Sequence, residues 1–375
     1  MLVLVMALGL FTGCQPKKEK AVDTSWYKDS ETTFTLKKAN QLMGLAELAK
    51  TKDFAGKTIK LGADIKLNDV NAATMAKWQL GTVQPKNVWT PLGNVDLPFA
   101  GIIDGQGHKV SGLYVSWAED GAGFIGVATS AVELKNIKFV DGMIKNTKNK
   151  TGLIGTGVVA KIENVYTNLY VEGSGNFVGG LLGHYTGAFT VQADGVAANW
   201  ANSYIQILNS WFDGTVSSAG YAKAGFIGGQ DARAKVDMIN CLATGTINST
   251  REDNYARAGA FFGWMNYSAE YNLVNCVSTA VINSTYTGTD IPDYVGALIG
   301  DLGANGLKIT NCYGVGKTVI GKDQKNLGLD DDGILKTLDE IKALDVATAL
   351  PKLEGETASP WQAVQGSTPV LKGLK

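Results

Sequence analysis

Short apolar runs closed by glycine recur through the middle of the chain. They read Gly123-Phe124-Ile125-Gly126, Gly152-Leu153-Ile154-Gly155, Gly180-Leu181-Leu182-Gly183, Gly225-Phe226-Ile227-Gly228, Ala260-Phe261-Phe262-Gly263 and Ala297-Leu298-Ile299-Gly300. A second pattern places an apolar residue two positions before an Asn. Leu134, Ile162, Ile207, Met238, Leu273 and Ile309 stand ahead of Asn136, Asn164, Asn209, Asn240, Asn275 and Asn311. Steps of 28, 45, 31, 35 and 36 residues separate these Asn positions. A period in that range predicts a solenoid. The runs alternate with a two-residue period and contain no helical stretch, so each repeat is a set of short strands. Stacked at about 4.8 Å per coil, such strands form a parallel β-helix in which equivalent residues lie over one another. Asn tolerates the left-handed conformation of a sharp turn, and its amide can bond to the Asn of the next coil. The six Asn are therefore expected to form a structural ladder. The slot after each holds Ile137, Val165, Ser210, Cys241, Cys276 or Cys312, a column of small buried side chains.

The flanks read differently. Phe34–Thr51 carries Leu36, Ala39, Leu42, Met43, Ala46 and Ala49 at helical spacing and predicts a helix capped by Thr35. Strands are expected at 54–61 and 64–68, a loop over 69–88, and a strand–turn–strand over 99–110. Near the end, 334–350 predicts a helix and 361–375 a strand that docks back. The expected organisation is a leader over 1–14, a tether over 15–33, and a cap helix with the first strands over 34–110. The β-helix repeats follow over 111–320, with a C-terminal cap over 321–375. The fold class is all-β: a right-handed parallel β-helix with short helical caps at both ends, which shield the exposed sheet edges of an open solenoid.

Composition agrees. Glycine supplies 46 of 375 residues, against a usual ~7%. Net charge is −1 and Arg is confined to Arg233, Arg251 and Arg257, which gives nucleic acid no basic surface to bind. Met1–Leu10 is an apolar run too short to span a bilayer. Followed by Phe11-Thr12-Gly13-Cys14, it is similar to a bacterial lipobox. That similarity implies an exported protein, lipidated at Cys14 and held to the cell envelope, at the outer membrane or cell surface, by its lipid alone. The three remaining cysteines show no zinc spacing and no nearby His.

The glycine words and the Ile-x-Asn-Cys/Ser words resemble those of the GLUG-motif family. So do Ala63-Asp64-Ile65-Lys66-Leu67, Trp89-Thr90-Pro91-Leu92-Gly93 and Phe99–Val110. The resemblance covers roughly 34–316. It implies a β-helical segment of a bacterial surface or exported protein, as in the non-catalytic regions of some IgA-specific metallopeptidases. It implies no particular reaction.

Catalytic motifs are sparse. His108 and His184 are the only histidines and neither begins H-E-x-x-H, so the metallopeptidase signature is missing. Asp104, Asp141 and Asp213 each precede Gly and read as turn residues before acids. Asp231 with Arg233, or Glu252, Asp253 and Arg257, supply a fragment of a polysaccharide lyase or glycosidase site, the enzymatic alternative. Binding is the stronger expectation. The interval Gly183–Asn209 is longer than its counterparts and contains aromatic residues suited to stacking on sugar rings or anchoring a protein. The candidate ligand-binding residues are His184, Tyr185, Phe189, Trp200 and Tyr204, with Trp211 from the outward slot that also holds Tyr166 and Tyr313. The expected protein is a monomeric, adhesin-like, non-catalytic scaffold. Its expected partner is a glycan or a host or bacterial surface protein, and no metal or other cofactor is called for.

Overall fold

The computed structural model describes residues 22–186, 203–230, 234–252, 256–265, 270–285, 294–303, 306–322 and 331–374. They form a parallel β-helix. One coil shows the path. The strand Ser203–Leu208 ends at the Asn209 corner. Trp211–Phe212 follows, then Thr215–Ser218, Ala222–Ala224 and Ile227–Gln230. Corresponding strands of successive coils pair in parallel and in register, building sheets of fifteen, seven, six and four strands. Inside, equivalent side chains stack: Ile162 on Ile207, Ile207 on Met238, Met238 on Leu273. All four are fully buried, each stabilising the fold by about 1.5–3 kcal/mol relative to exposure.

The Asn corners form hydrogen-bonded rungs at four of the five steps between them. All six have φ between 47° and 53°. The Nδ2 of Asn164 donates to Oδ1 of Asn136 at 2.9 Å, and those of Asn240, Asn275 and Asn311 each donate to the preceding Asn at 3.1 Å. The first donor, Asn136, ends on the Asp104 carboxylate at 3.1 Å. The bonded amides point one way, an anion terminates the donor end, and the ladder is interrupted between Asn164 and Asn209. Cys241, Cys276 and Cys312 are buried and unbridged, and burial pushes the thiols of Cys276 and Cys312 up.

The closing glycine of each apolar word lies where the chain doubles back. A Cβ on Gly183 would stand 2.5 Å from the Thr151 nitrogen and 2.6 Å from the Gly155 oxygen; on Gly228 it would meet Gly183 and Val178 backbone at 2.6 Å. These neighbours are backbone and cannot step aside, so only glycine fits.

Three flanking expectations need correction. Thr33–Leu36 is a strand paired with Thr58–Leu61, since Phe34 and Leu36 alternate into the core. The helix α1 is Ala39–Leu48, and its N-cap is Lys38 without a side-chain bond, rather than Thr35. The interval 69–88 contains a helix, α2 (Ala72–Gln79), capped by Asn71, with Trp78 packed against Tyr114 and Met143. The C-terminal helix is divided into α3 (Asp331–Ile334), α4 (Leu338–Lys342) and α5 (Val346–Ala349). Thr337 forms a capping box with Glu340, and Asp345 caps α5. Two new N-caps inside one apolar pattern restart the helix each time.

The C-terminal segment pairs with the last coil at Gly314–Leu335 and then lies along the flank of the solenoid. Ile341, Val346, Leu350, Trp361 and Leu371 pack on Tyr166, Trp211, Leu242 and Val277. Trp361–Val364 and Ser367–Leu371 close it as an antiparallel hairpin. It also bonds the ladder from outside: Glu356 accepts from Asn240 at 2.7 Å, the Pro351 carbonyl accepts from Asn275 at 2.7 Å, and Trp361 donates to Asn240 at 3.2 Å.

Candidate functional site

The residue following each glycine word points out of the seven-stranded sheet. In successive coils this slot is His184, Gly229, Trp264 and Asp301, aligned in register. Gly229 leaves a gap, and the ring of Phe177 fills it; a Cβ there would lie 2.2 Å from Phe177 Cδ1. Phe177 reaches this position from a left-handed residue, φ 64°. The result is a three-ring stack. Phe177 lies 4.2 Å from His184 at 14° and 5.8 Å from Trp264 at 23°. Tyr221 meets Phe177 and Trp264 edge-on at 6.1 and 5.9 Å.

Arg257 continues the array. Its guanidinium lies 3.9 Å over Tyr221 and 4.6 Å over Tyr294, and its Nε bonds Asp301. Both charged side chains are 7% exposed, so removing either partner would strand a buried charge, at a cost of about 3–5 kcal/mol. Phe177, Tyr221 and Trp264 are half-buried, while His184, Arg257, Tyr294 and Asp301 are buried. What reaches solvent is thus the uncovered parts of three half-buried rings, Phe177, Tyr221 and Trp264, packed beside a buried ion pair. Half-exposed aromatic rings of this kind can pack on the apolar face of a sugar. The chemistry of hydrolysis needs two facing carboxylates, and the Asp301 carboxylate is committed to Arg257. Among the described residues, no group of three or more His, Cys, Asp or Glu could hold a metal.

The residues singled out in the sequence do not share one surface. His184 and Tyr185 lie in the strand Leu182–Tyr185 rather than on a projecting loop. His184 is buried in the stack, and Tyr185 turns inward and is wholly buried. Tyr204 is 43% exposed on the outside of the largest sheet, where its hydroxyl donates to Asp237 at 2.5 Å. Trp211 is buried on the flank, edge-to-face with Tyr166, with Nε1 donating to Thr244 at 2.7 Å. The outward aromatic slot is therefore covered by the chain's own C-terminal segment. Cys14, Phe189, Trp200, Asp231, Arg233 and Asp253 lie outside the described residues. The three Asp-Gly carboxylates have turn roles: Asp104 takes Gln106 and Asn136, Asp141 takes Asn168, and Asp213 takes Tyr166 and Thr244. Phe177, Tyr221, Trp264, Tyr294 and Asp301 were missed, although the slot after the closing glycine already marked His184, Trp264 and Asp301.

No family model matches the chain, and no curated protein matches it. Among solved structures it is similar to a protein described as a "putative immunoglobulin A1 protease" from Bacteroides ovatus, with 20% identity and a TM-score of 0.62 over 92% of this chain and 94% of that one. This likeness is one of fold, and the two share a β-helical architecture.

Proposed function

We propose that this chain is a non-catalytic, glycan-binding scaffold of the bacterial envelope, adhesin-like and of the GLUG type, anchored by a lipid on Cys14. The observation that carries the binding role is the Phe177–His184–Trp264 stack with Tyr221 at its edge. It is aromatic, rigid and poor in available carboxylates. The anchor rests on the apolar run before Cys14; no helix of the described residues is long and apolar enough to cross a membrane.

The test is a glycan-array screen of residues 22–375, read for retention and for released product. Retention without product is expected, and Trp264→Ala should weaken it at least tenfold in protein that circular dichroism shows to be still folded. Product release would favour the polysaccharide lyase or hydrolase alternative. Undiminished retention by Trp264→Ala would remove the platform from consideration and point to a protein partner or another face.

A further inference from the structure

The Asn ladder has a covered half and an open one. At Asn240 the second amide hydrogen is taken by the Glu356 carboxylate, whose other oxygen accepts from the Leu353 nitrogen at 2.8 Å. At Asn275 it is taken by the Pro351 carbonyl. The fold thus displays what the outward edge of this ladder binds: an acceptor oxygen, and in one case a carboxylate. Asn136 and Asn164 have the same backbone conformation, with φ 52° and 53°, and each likewise spends one amide hydrogen on the coil before it, Asn136 on Asp104 and Asn164 on Asn136. Their second amide hydrogens have no partner among the described residues. They face a cavity of about 460 Å³ lined by Gln106, Asn136, Lys138, Asn164, Lys372 and Leu374.

The charges around this cavity favour an anion. Lys138 makes no ion pair among the described residues. Lys109 stands beside it in register and is 3.9 Å from Asp64. Lys372 donates to the Ser359 carbonyl at 2.8 Å. The adjacent carboxylate, Asp104, is 8% exposed and bonds Asn136 and Gln106. It takes one amide hydrogen of Asn136, and the second hydrogen of that amide stays available as a donor. The volume lies within the usual range for a small-molecule site, about 300–1,000 Å³, enough for one or two sugar rings, and Leu374 adds an apolar wall.

We infer that this cavity is a binding site for the carboxylate of an acidic glycan, held by the amides of Asn136 and Asn164 and by Lys138. The carboxylate is argued from the Glu356 contact alone; the sugar rests on the glycan-binding reading. The step is binding only, with no bond made or broken.

The probe is digalacturonate, titrated calorimetrically into residues 22–375 beside its dimethyl ester, which keeps the rings and removes the charge. Wild type is expected to bind the acid at least tenfold more tightly than the ester. Lys138→Met, a surface change that leaves the ladder intact, and Asn164→Asp, which keeps the corner and replaces a donor by an anion, should each abolish that preference. Trp264→Ala should leave it within twofold, so a failure of the aromatic platform is read separately. Equal binding of acid and ester by wild type, no binding of the acid, or an undiminished preference in both variants would overturn the proposal.

Discussion

At the scale of single residues, the ladder shows why one side-chain type recurs. A corner residue must accept positive φ, donate to the coil before it and accept from the coil after it. Asn alone among the common residues does all three at little cost. Asn275 is fully buried, with φ 52° and bonds on both sides. Asn275→Ala should lose about 2–4 kcal/mol, combining left-handed strain with an unsatisfied neighbour. Asn275→Gly, which relieves the strain, should lose less; denaturant unfolding of both variants measures the difference. This much was legible, because the periodic Asn shows in the sequence. The partners of Asn240 and Asn275 were not, since Glu356 and Pro351 lie 116 and 76 residues away and carry no pattern. Tyr204 gives a pH test. Burial and its bond to Asp237 push its hydroxyl up to about 12, above the ~10 of an unfolded chain. Its stabilising contribution is therefore complete below pH 10 and is lost as pH rises towards 12. Tyr204→Phe should delete one late-titrating phenol from the 295 nm absorbance curve and flatten the stability decline across that window.

At the scale of elements, the glycine words and the helices teach opposite lessons. A closing glycine reports a tertiary fact, the approach of another coil's backbone, and it repeats, so the strands could be placed from sequence. Gly228→Ala should cost about 1–3 kcal/mol through overpacking, visible as a lowered Tm. At Gly229 the three atoms nearest an added Cβ all belong to the Phe177 ring, and Gly229→Ala is expected to disturb the stack and glycan retention more than the fold. The helices resisted reading because their limits are set by capping side chains. Thr337 and Asp345 sit inside what looks like one apolar stripe, and α2 has a single buried anchor, Trp78. The candidate site resisted for another reason. The sequence marks His184 by its ring and by a long interval that predicts a loop, whereas the stack depends on a missing side chain at Gly229 and on Phe177 crossing to fill it.

At the scale of the whole molecule, the C-terminal segment changes what the solenoid presents. Without it, Tyr166, Trp211, Leu242 and Val277 would form an apolar flank. Removal of residues 331–375 should give a protein that binds a hydrophobic dye and self-associates, measured by fluorescence and light scattering; a monomeric, dye-silent product would mean that the flank needs no cover. Trp361→Ala is expected to act in the same direction, at about 3–5 kcal/mol. The direction of the ladder has its own consequence. Wherever the ladder bonds form, the amide donates toward the amino end, so those corners need an acceptor made by the coil before them. A chain emerging amino end first from a ribosome or a translocation pore always finds that acceptor in place. Assembly can follow emergence coil by coil, like a zip whose slider moves in one direction, with the Asp104 turn as its fixed end.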